Sequence, residues 1–327
     1  MVSDRPRSSR RPGESGDGHC PVLLREAVQW LGCAPGKRIA DVTVGLGGHA
    51  EAIVAACAPD GVLIGLDRDG EALDEARTRL DPRRVRLHQA ESGMLPAVLK
   101  AEGIPQVDGV LFDLGVSSLQ LDRPERGFSF QLDGPLDMRM DRRQAVSAAD
   151  VVNERSESEL ADLLRTYGEE RWAVAIARTI VRARTTRPIS RTRELVDLVR
   201  AAIPAAARAP QPHPATRTFQ ALRIAVNREL ETLDPALDAA LSCLGPHGRV
   251  VVIAFHSLED RLVKRAMRRW EGVCVCPPAF PLCRCGRRAL AQVLTPRPIT
   301  PSEEEVRANP RARSAKMRVA ERLAEAA

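Results

Sequence analysis

The chain predicts a doubly wound α/β fold, a Rossmann-like sheet of seven strands interrupted by an all-helical insertion. Three observations carry that expectation. Apolar, β-branched runs alternate with helical segments at βαβ spacing. A glycine-rich turn, Gly45-Leu-Gly47-Gly48-His49, follows the first run. Acidic residues mark the ends of three runs: Asp41 inside the end of the first, Asp67 closing the second and Asp113 closing the fourth.

A helix over 21–31 precedes the first strand, with Pro35-Gly36 breaking between them. Strands are expected at 38–44, 62–67, 85–88 and 107–113, and helices near 49–57, 70–80 and 92–101. After Leu114-Gly115 the rhythm changes. Residues 117–140 are polar and punctuated by Gly and Pro, whereas 156–204 reads as helical throughout. Ser156-Glu-Ser-Glu159 caps one helix, Gly168 is expected to start another, and 192–202 forms a third. Loops as long as 117–140 inside a compact domain are usually functional.

The sheet is then expected to resume through one amphipathic helix over 218–241, with Phe219, Leu222, Val226, Leu230 and Leu233 on its buried face. A strand at 249–255 and a helix from Ser257 to Trp270 follow. Runs at 292–299 and 315–323 can pair antiparallel at one edge. Seven strands with an antiparallel pair last is the class I methyltransferase variant of the doubly wound sheet. The expected division is a disordered tail over 1–18, a sheet domain over 19–116 and 213–327, and an inserted helical substrate-recognition subdomain over 117–212.

Ligands of such sheets sit beyond the carboxyl ends of the strands, where the strand order reverses. The glycines allow a tight turn and close backbone approach, and the next helix turns its positive end toward the ligand. Asp67, about 20 positions after the glycines, suits the two hydroxyls of a ribose. The turn also satisfies the loose dinucleotide pattern, so by itself it does not choose a cofactor. The carboxylates do choose. Asp41 would repel a pyrophosphate but suits an amino-bearing ligand, Asp113 ends beside the same crevice, and no Lys or Arg cluster attends them. A single Asp is ordinarily a solvated loop residue; three at strand ends point to S-adenosylmethionine, with its ammonium, carboxylate, ribose and sulfonium.

Composition narrows the class. Hydrophobic residues at 44% and charged residues at 28% of 327 are ordinary for a soluble globular chain. A net charge of +6, mostly arginine, favours an anionic partner such as RNA, yet aromatics at 3% offer few stacking platforms. No run approaches the roughly 18 apolar residues of a membrane span, and no signal peptide is evident. Eight cysteines without one suggest reduced thiols and a cytoplasmic location. Cys274-Val-Cys276 and Cys283-Arg-Cys285 could offer four thiolates to zinc. Their C-x-C spacing and the lack of a nearby His favour a Pro-stiffened loop, so no metal is expected.

The chain resembles the family of bacterial 16S rRNA cytosine-N4 methyltransferases called RsmH, earlier MraW. The resemblance runs from His19-Cys-Pro-Val-Leu-Leu to Asn309-Pro-Arg-Ala-Arg-Ser-Ala-Lys-Met-Arg318. It rests on long motifs, among them Asp113-Leu-Gly-Val-Ser-Ser-Leu-Gln120, Glu125-Arg-Gly-Phe-Ser-Phe130, Pro135-Leu-Asp-Met-Arg-Met-Asp141, His213-Pro-Ala-Thr-Arg-Thr-Phe-Gln220 and Phe255-His-Ser-Leu-Glu-Asp-Arg261. It implies a methyltransferase core, an insertion that helps hold rRNA, and a cytidine of the decoding centre in 16S rRNA, within the small ribosomal subunit, as acceptor. By position it implies cofactor contacts from Gly47, Gly48, His49, Asp67, Asp113 and Gln120. Glu91 falls where the family often places an aromatic against the adenine, and takes that place as a candidate contact.

Asp113 is the expected proton acceptor for the reacting amine, with Ser117 and Ser118 close in sequence; the Asp/Asn-Pro-Pro-aromatic signature of amino methyltransferases is absent. His256 stands either in the pocket or as a cap after its strand. Asp137, Arg139, Arg217 and Arg223 are open to RNA contact or internal ion pairing. Self-association stays open too. Two competing functions are a nicotinamide-dependent oxidoreductase built on the same glycine turn and a non-catalytic ribosome-assembly factor that keeps the fold as an RNA clamp.

Overall fold

A computed structural model describes residues 21–207, 213–273, 276 and 288–324. The expected tail over 1–18 and three of the four clustered cysteines, Cys274, Cys283 and Cys285, lie outside the described residues. The chain forms two compact units, Met1–Gly115 with Asp234–Ala327, and Val116–Leu233.

The first unit is the sheet. Its strands are β1 (Arg38–Asp41), β2 (Val62–Asp67), β3 (Val85–Gln89), β4 (Val107–Asp113), β5 (Leu244–Ala254), β6 (Ala291–Val293) and β7 (Lys316–Arg322). They lie in the order β3-β2-β1-β4-β5-β7-β6, with β7 antiparallel to both neighbours and every other pairing parallel. The order reverses between β1 and β4, which brings the ends of β1, β2 and β4 side by side. Helices α1 (Leu24–Trp30), α2 (Gly48–Ala56), α3 (Gly70–Arg79) and α4 (Leu95–Ala101) belong to this unit.

Near-continuous apolar strands are what a sheet covered on both faces requires. Ile39, Leu63, Leu111, Val251, Ile253, Met317 and Val319 form one buried cluster with Ala27 of α1 and Ile53 of α2. Each such side chain contributes roughly 1.5–3 kcal/mol by leaving water. β1 is shorter than the expected 38–44, because beyond Asp41 the chain leaves regular pairing to enter the glycine turn. It stays wedged between its neighbours: Val42 N–H donates to the Leu111 carbonyl and Val44 N–H to the Leu66 carbonyl, each at 3.1 Å. The expected strand at 292–299 is reduced to β6, with Ile299 making only an isolated bridge to Met317.

The second unit is helical: α5 (Ser118–Asp122), α6 (Ala148–Glu154), α7 (Glu157–Gly168), α8 (Ala173–Arg184), α9 (Thr192–Ala202) and α10 (Thr216–Asn227). Ser117/Gln120, Ser147/Asp150 and Ser156/Glu159 close capping boxes at α5, α6 and α7. Leu136, Val152, Leu160, Leu164, Ile176, Ile180, Leu195, Val199, Phe219 and Leu222 share its core.

Two expectations about the helices are corrected. Gly168 ends α7 instead of starting a helix, because α10 packs there: a Cβ on it would lie 2.7 Å from the Arg217 carbonyl oxygen. The single helix expected over 218–241 is two. Arg228 takes a left-handed conformation (φ 50°), ending α10 before α11 (Glu229–Cys243) begins. Asn227 holds the break: its amide donates to the Met138 and Arg223 carbonyls, and its oxygen accepts the Met140 N–H. The segment 213–233 therefore packs with the helical unit, and the chain re-enters the sheet unit at Asp234, within α11. Among the described residues no helix is long and apolar enough to cross a membrane.

Candidate active site

The site is built at the carboxyl end of the sheet, wholly from the first unit. Leaving β1, the chain turns through Gly45 (φ 52°) and Gly47 (φ 85°), and Gly47 occupies the N-cap of α2. The left-handed backbone there and the tight packing beyond explain the glycines. A Cβ on Gly48 would stand 2.4 Å from Cγ of Pro21.

Asp67 fastens this turn. Its Oδ2 accepts the Gly45 N–H at 2.8 Å and its Oδ1 the Asp69 N–H at 2.9 Å. Burial raises its pKa from the ordinary carboxylate value, against the lowering effect of those two bonds. A carboxylate has about four acceptor positions, so two remain for a vicinal diol. The duller role of helix cap falls to Asp69 instead, whose side chain accepts the Glu71 N–H at the start of α3.

Asp41, Thr43, His49 and Asp113 form a connected group. Asp41 Oδ1 accepts the Thr43 N–H at 3.0 Å, and Thr43 Oγ1 accepts the Asp113 N–H at 2.6 Å, tying β1 to β4. His49 is buried, not exposed as a residue at a helix start would ordinarily be. Its Nε2 lies 3.1 Å from the Val22 carbonyl oxygen and its Nδ1 3.3 Å from Asp113 Oδ2. Burial works against the imidazolium, but the Asp113 hydrogen bond and the charges of Asp113 and Asp41 outweigh it and lift the His49 pKa. Burial pushes Asp41 up to about 7, and the charges of Asp113 and Asp67 add to that rise. Thr43 and Val22 had no sequence signal as site residues: one reads as an ordinary β-branched strand residue, the other as an apolar residue at the start of the expected helix over 21–31.

The other sequence candidates fall elsewhere. Glu91 is exposed, just after β3 and before a short helical turn at Ser92–Met94. Gln120 lies in the second unit, buried, and its side-chain oxygen accepts the Ser117 N–H at 3.1 Å. His256 caps α12 (Ser257–Trp270): its Nδ1 accepts the Glu259 N–H, and the Glu259 carboxylate accepts the N–H groups of Phe255 and His256. Arg139 grips Asp137 with two hydrogen bonds of 2.8 Å, and Arg223 grips Glu229 with two of 2.9 Å. Those two arginines are therefore internal, whereas Arg217 is exposed and donates to the Glu169 carbonyl.

The group accepts more hydrogen bonds than the protein donates to it. Asp41 Oδ2 and Asp113 Oδ1 are buried without a hydrogen-bond partner among the described residues. A cluster of carboxylates at the switch point, an Asp67 carboxylate with acceptor positions left over and a helix N-terminus suit the ammonium, ribose and carboxylate of S-adenosylmethionine. The strand order, the antiparallel β7 and this donor-seeking site define a class I, S-adenosylmethionine-dependent methyltransferase. The model of the MraW methylase family matches residues 17–323, and the chain belongs to that family. It is 52% identical to ribosomal RNA small subunit methyltransferase H of Brevibacillus brevis, over 93% of this chain and 98% of the relative. Proteins of the same name from Symbiobacterium thermophilum (52%, over 93% and 96%) and Pelobacter propionicus (51%, over 94% and 100%) are similarly close. Membership sets aside the nicotinamide-dependent oxidoreductase.

Proposed function

We propose that the protein methylates the N4 amine of a cytidine in the decoding centre of 16S rRNA, acting on the small ribosomal subunit. End-to-end similarity to relatives named ribosomal RNA small subunit methyltransferase H supports the substrate class. When bound, S-adenosylmethionine supplies an electrophilic methyl group on a sulfonium. Asp67 accepts from the ribose hydroxyls, the glycine turn at Gly47 and Gly48 with the start of α2 faces the carboxylate, and Asp41 faces the amino group. Glu91 remains a candidate contact from the family pattern.

One observation carries the choice of acceptor atom. The segment Asp113-Leu-Gly-Val-Ser-Ser-Leu-Gln120 after β4 contains no cysteine. Methylation at carbon 5 of a pyrimidine needs a thiolate added to carbon 6, whereas an exocyclic amine needs alignment and an acceptor for its proton. Asp113 supplies the acceptor. Its side chain is 26% exposed, yet Oδ1 is sealed, so a substrate amine reaches the carboxylate at Oδ2. The conjugated amine becomes strongly acidic once alkylated, so a carboxylate is base enough. The cytosine must leave any stack to reach that oxygen, which costs least in an unpaired loop.

The helical unit is the natural RNA-holding surface. Arg178, Arg182, Arg187, Arg193 and Arg200 of its helices and loops are exposed. The ion pairs that two of them make, Arg178–Glu157 and Arg187–Glu194, are surface pairs that phosphates can replace. The test is incorporation of labelled methyl groups into small subunits lacking the modification. Asp113→Asn should lower the rate at least a hundredfold while small-subunit binding changes less than threefold. Binding without any methyl incorporation by the unaltered protein would instead mark a non-catalytic assembly factor.

A further inference from the structure

We propose that His49 is a positioning residue for Asp113: a buried imidazolium that donates from Nε2 to the Val22 carbonyl and from Nδ1 to Asp113 Oδ2. The inference rests on the reading of Asp113 as the proton acceptor. The Val22 carbonyl can only accept, so Nε2 carries a hydrogen. Nδ1 faces a carboxylate oxygen at 3.3 Å, so a proton must also lie between those two atoms. His49 is only 5% exposed, so its ring nitrogens depend on these two contacts.

The surroundings decide where that proton rests. From β4 the charged group facing His49 is Asp113 and from β1 it is Asp41, while the segment before α1 presents the neutral Val22 carbonyl; Asp67 of β2 acts on Asp41. Two carboxyl groups and a carbonyl around one imidazole favour its doubly protonated form, and the raised pKa of His49 agrees. The oxygen His49 holds, Oδ2, is the one a substrate amine can reach. Its remaining lone pair is thereby aimed outward, and the amine proton goes to that lone pair. No proton passes to His49, whose nitrogens are both occupied.

The experiment is a pH titration of the histidine ring nitrogens by NMR in the full chain, without RNA or cofactor. His49 should stay doubly protonated above its ordinary value of 6.5, with both ring nitrogens hydrogen-bearing at pH 7. In Asp113→Asn its midpoint should fall by at least one pH unit. A bare Nδ1 at pH 7, or a midpoint unmoved by Asp113→Asn, would overturn the proposal. His49→Gln, which supplies the peak assignment, should lower kcat at least tenfold, and by a larger factor than it changes the dissociation constant for S-adenosylmethionine by calorimetry. An unchanged kcat, or a loss confined to cofactor affinity, would make His49 a packing residue or a direct cofactor contact instead. Because the titration needs no substrate, it stands or falls separately from the identity of the methylated atom.

Discussion

Burial holds the Asp41 carboxyl at a cost in stability. The unfolded chain releases this proton near 3.8, whereas the folded chain keeps it until about 7. The folded state thus binds more protons between those values, so this group makes stability fall as pH rises through that window and level off above it. About three pKa units at roughly 1.4 kcal/mol each put the cost on the order of 4 kcal/mol. Asp41→Asn keeps an oxygen for the Thr43 N–H, so it should melt well above the unaltered protein at pH 8 and no higher at pH 4. Thermal unfolding at both values checks this. Asp67→Ala should weaken S-adenosylmethionine at least tenfold by calorimetry. It should also cost roughly 1–3 kcal/mol of stability, because Gly45 and Asp69 lose their acceptor. The carboxylates were legible in the sequence because each ends an apolar run. The burial of His49 was not, since Val22 and Asp113 lie far from it along the chain and glycine turns ordinarily leave the next residue exposed.

Caps and strands with a strong local pattern formed as expected: Ser156 and Glu159 close their box, and α9 spans 192–202. The break between α10 and α11 left no local trace, because neither Gly nor Pro marks Arg228 and the apolar face continues through it. It depends on a distant loop, through the bonds of Asn227 to Met138 and Met140. Asn227 is buried, and Asn227→Ala would take this partner from the Met140 N–H and the Met138 carbonyl. A loss on the order of 2–4 kcal/mol is expected in denaturant unfolding, with α10 losing hydrogen-exchange protection first. Gly168 teaches the same lesson: its role as a close-approach point is set by α10, not by its neighbours in sequence.

Sheet membership and the reversal of strand order were legible for the whole molecule, because alternation of strands and helices and an antiparallel final pair leave few topologies. The limit of the helical insertion was less so. An amphipathic helix shows that it has a buried face but not which core receives it, and Phe219 and Leu222 belong to the helical core. The proposed product of the whole molecule is N4-methylcytidine in 16S rRNA. Digesting 16S rRNA from small subunits treated with the protein and S-adenosylmethionine, and separating the nucleosides by mass spectrometry, tests that claim most directly. N4-methylcytidine should appear, and Asp113→Asn should suppress it; 5-methylcytidine, or only a 2′-O-methylated nucleoside, would contradict the amine as acceptor and Asp113 as its base.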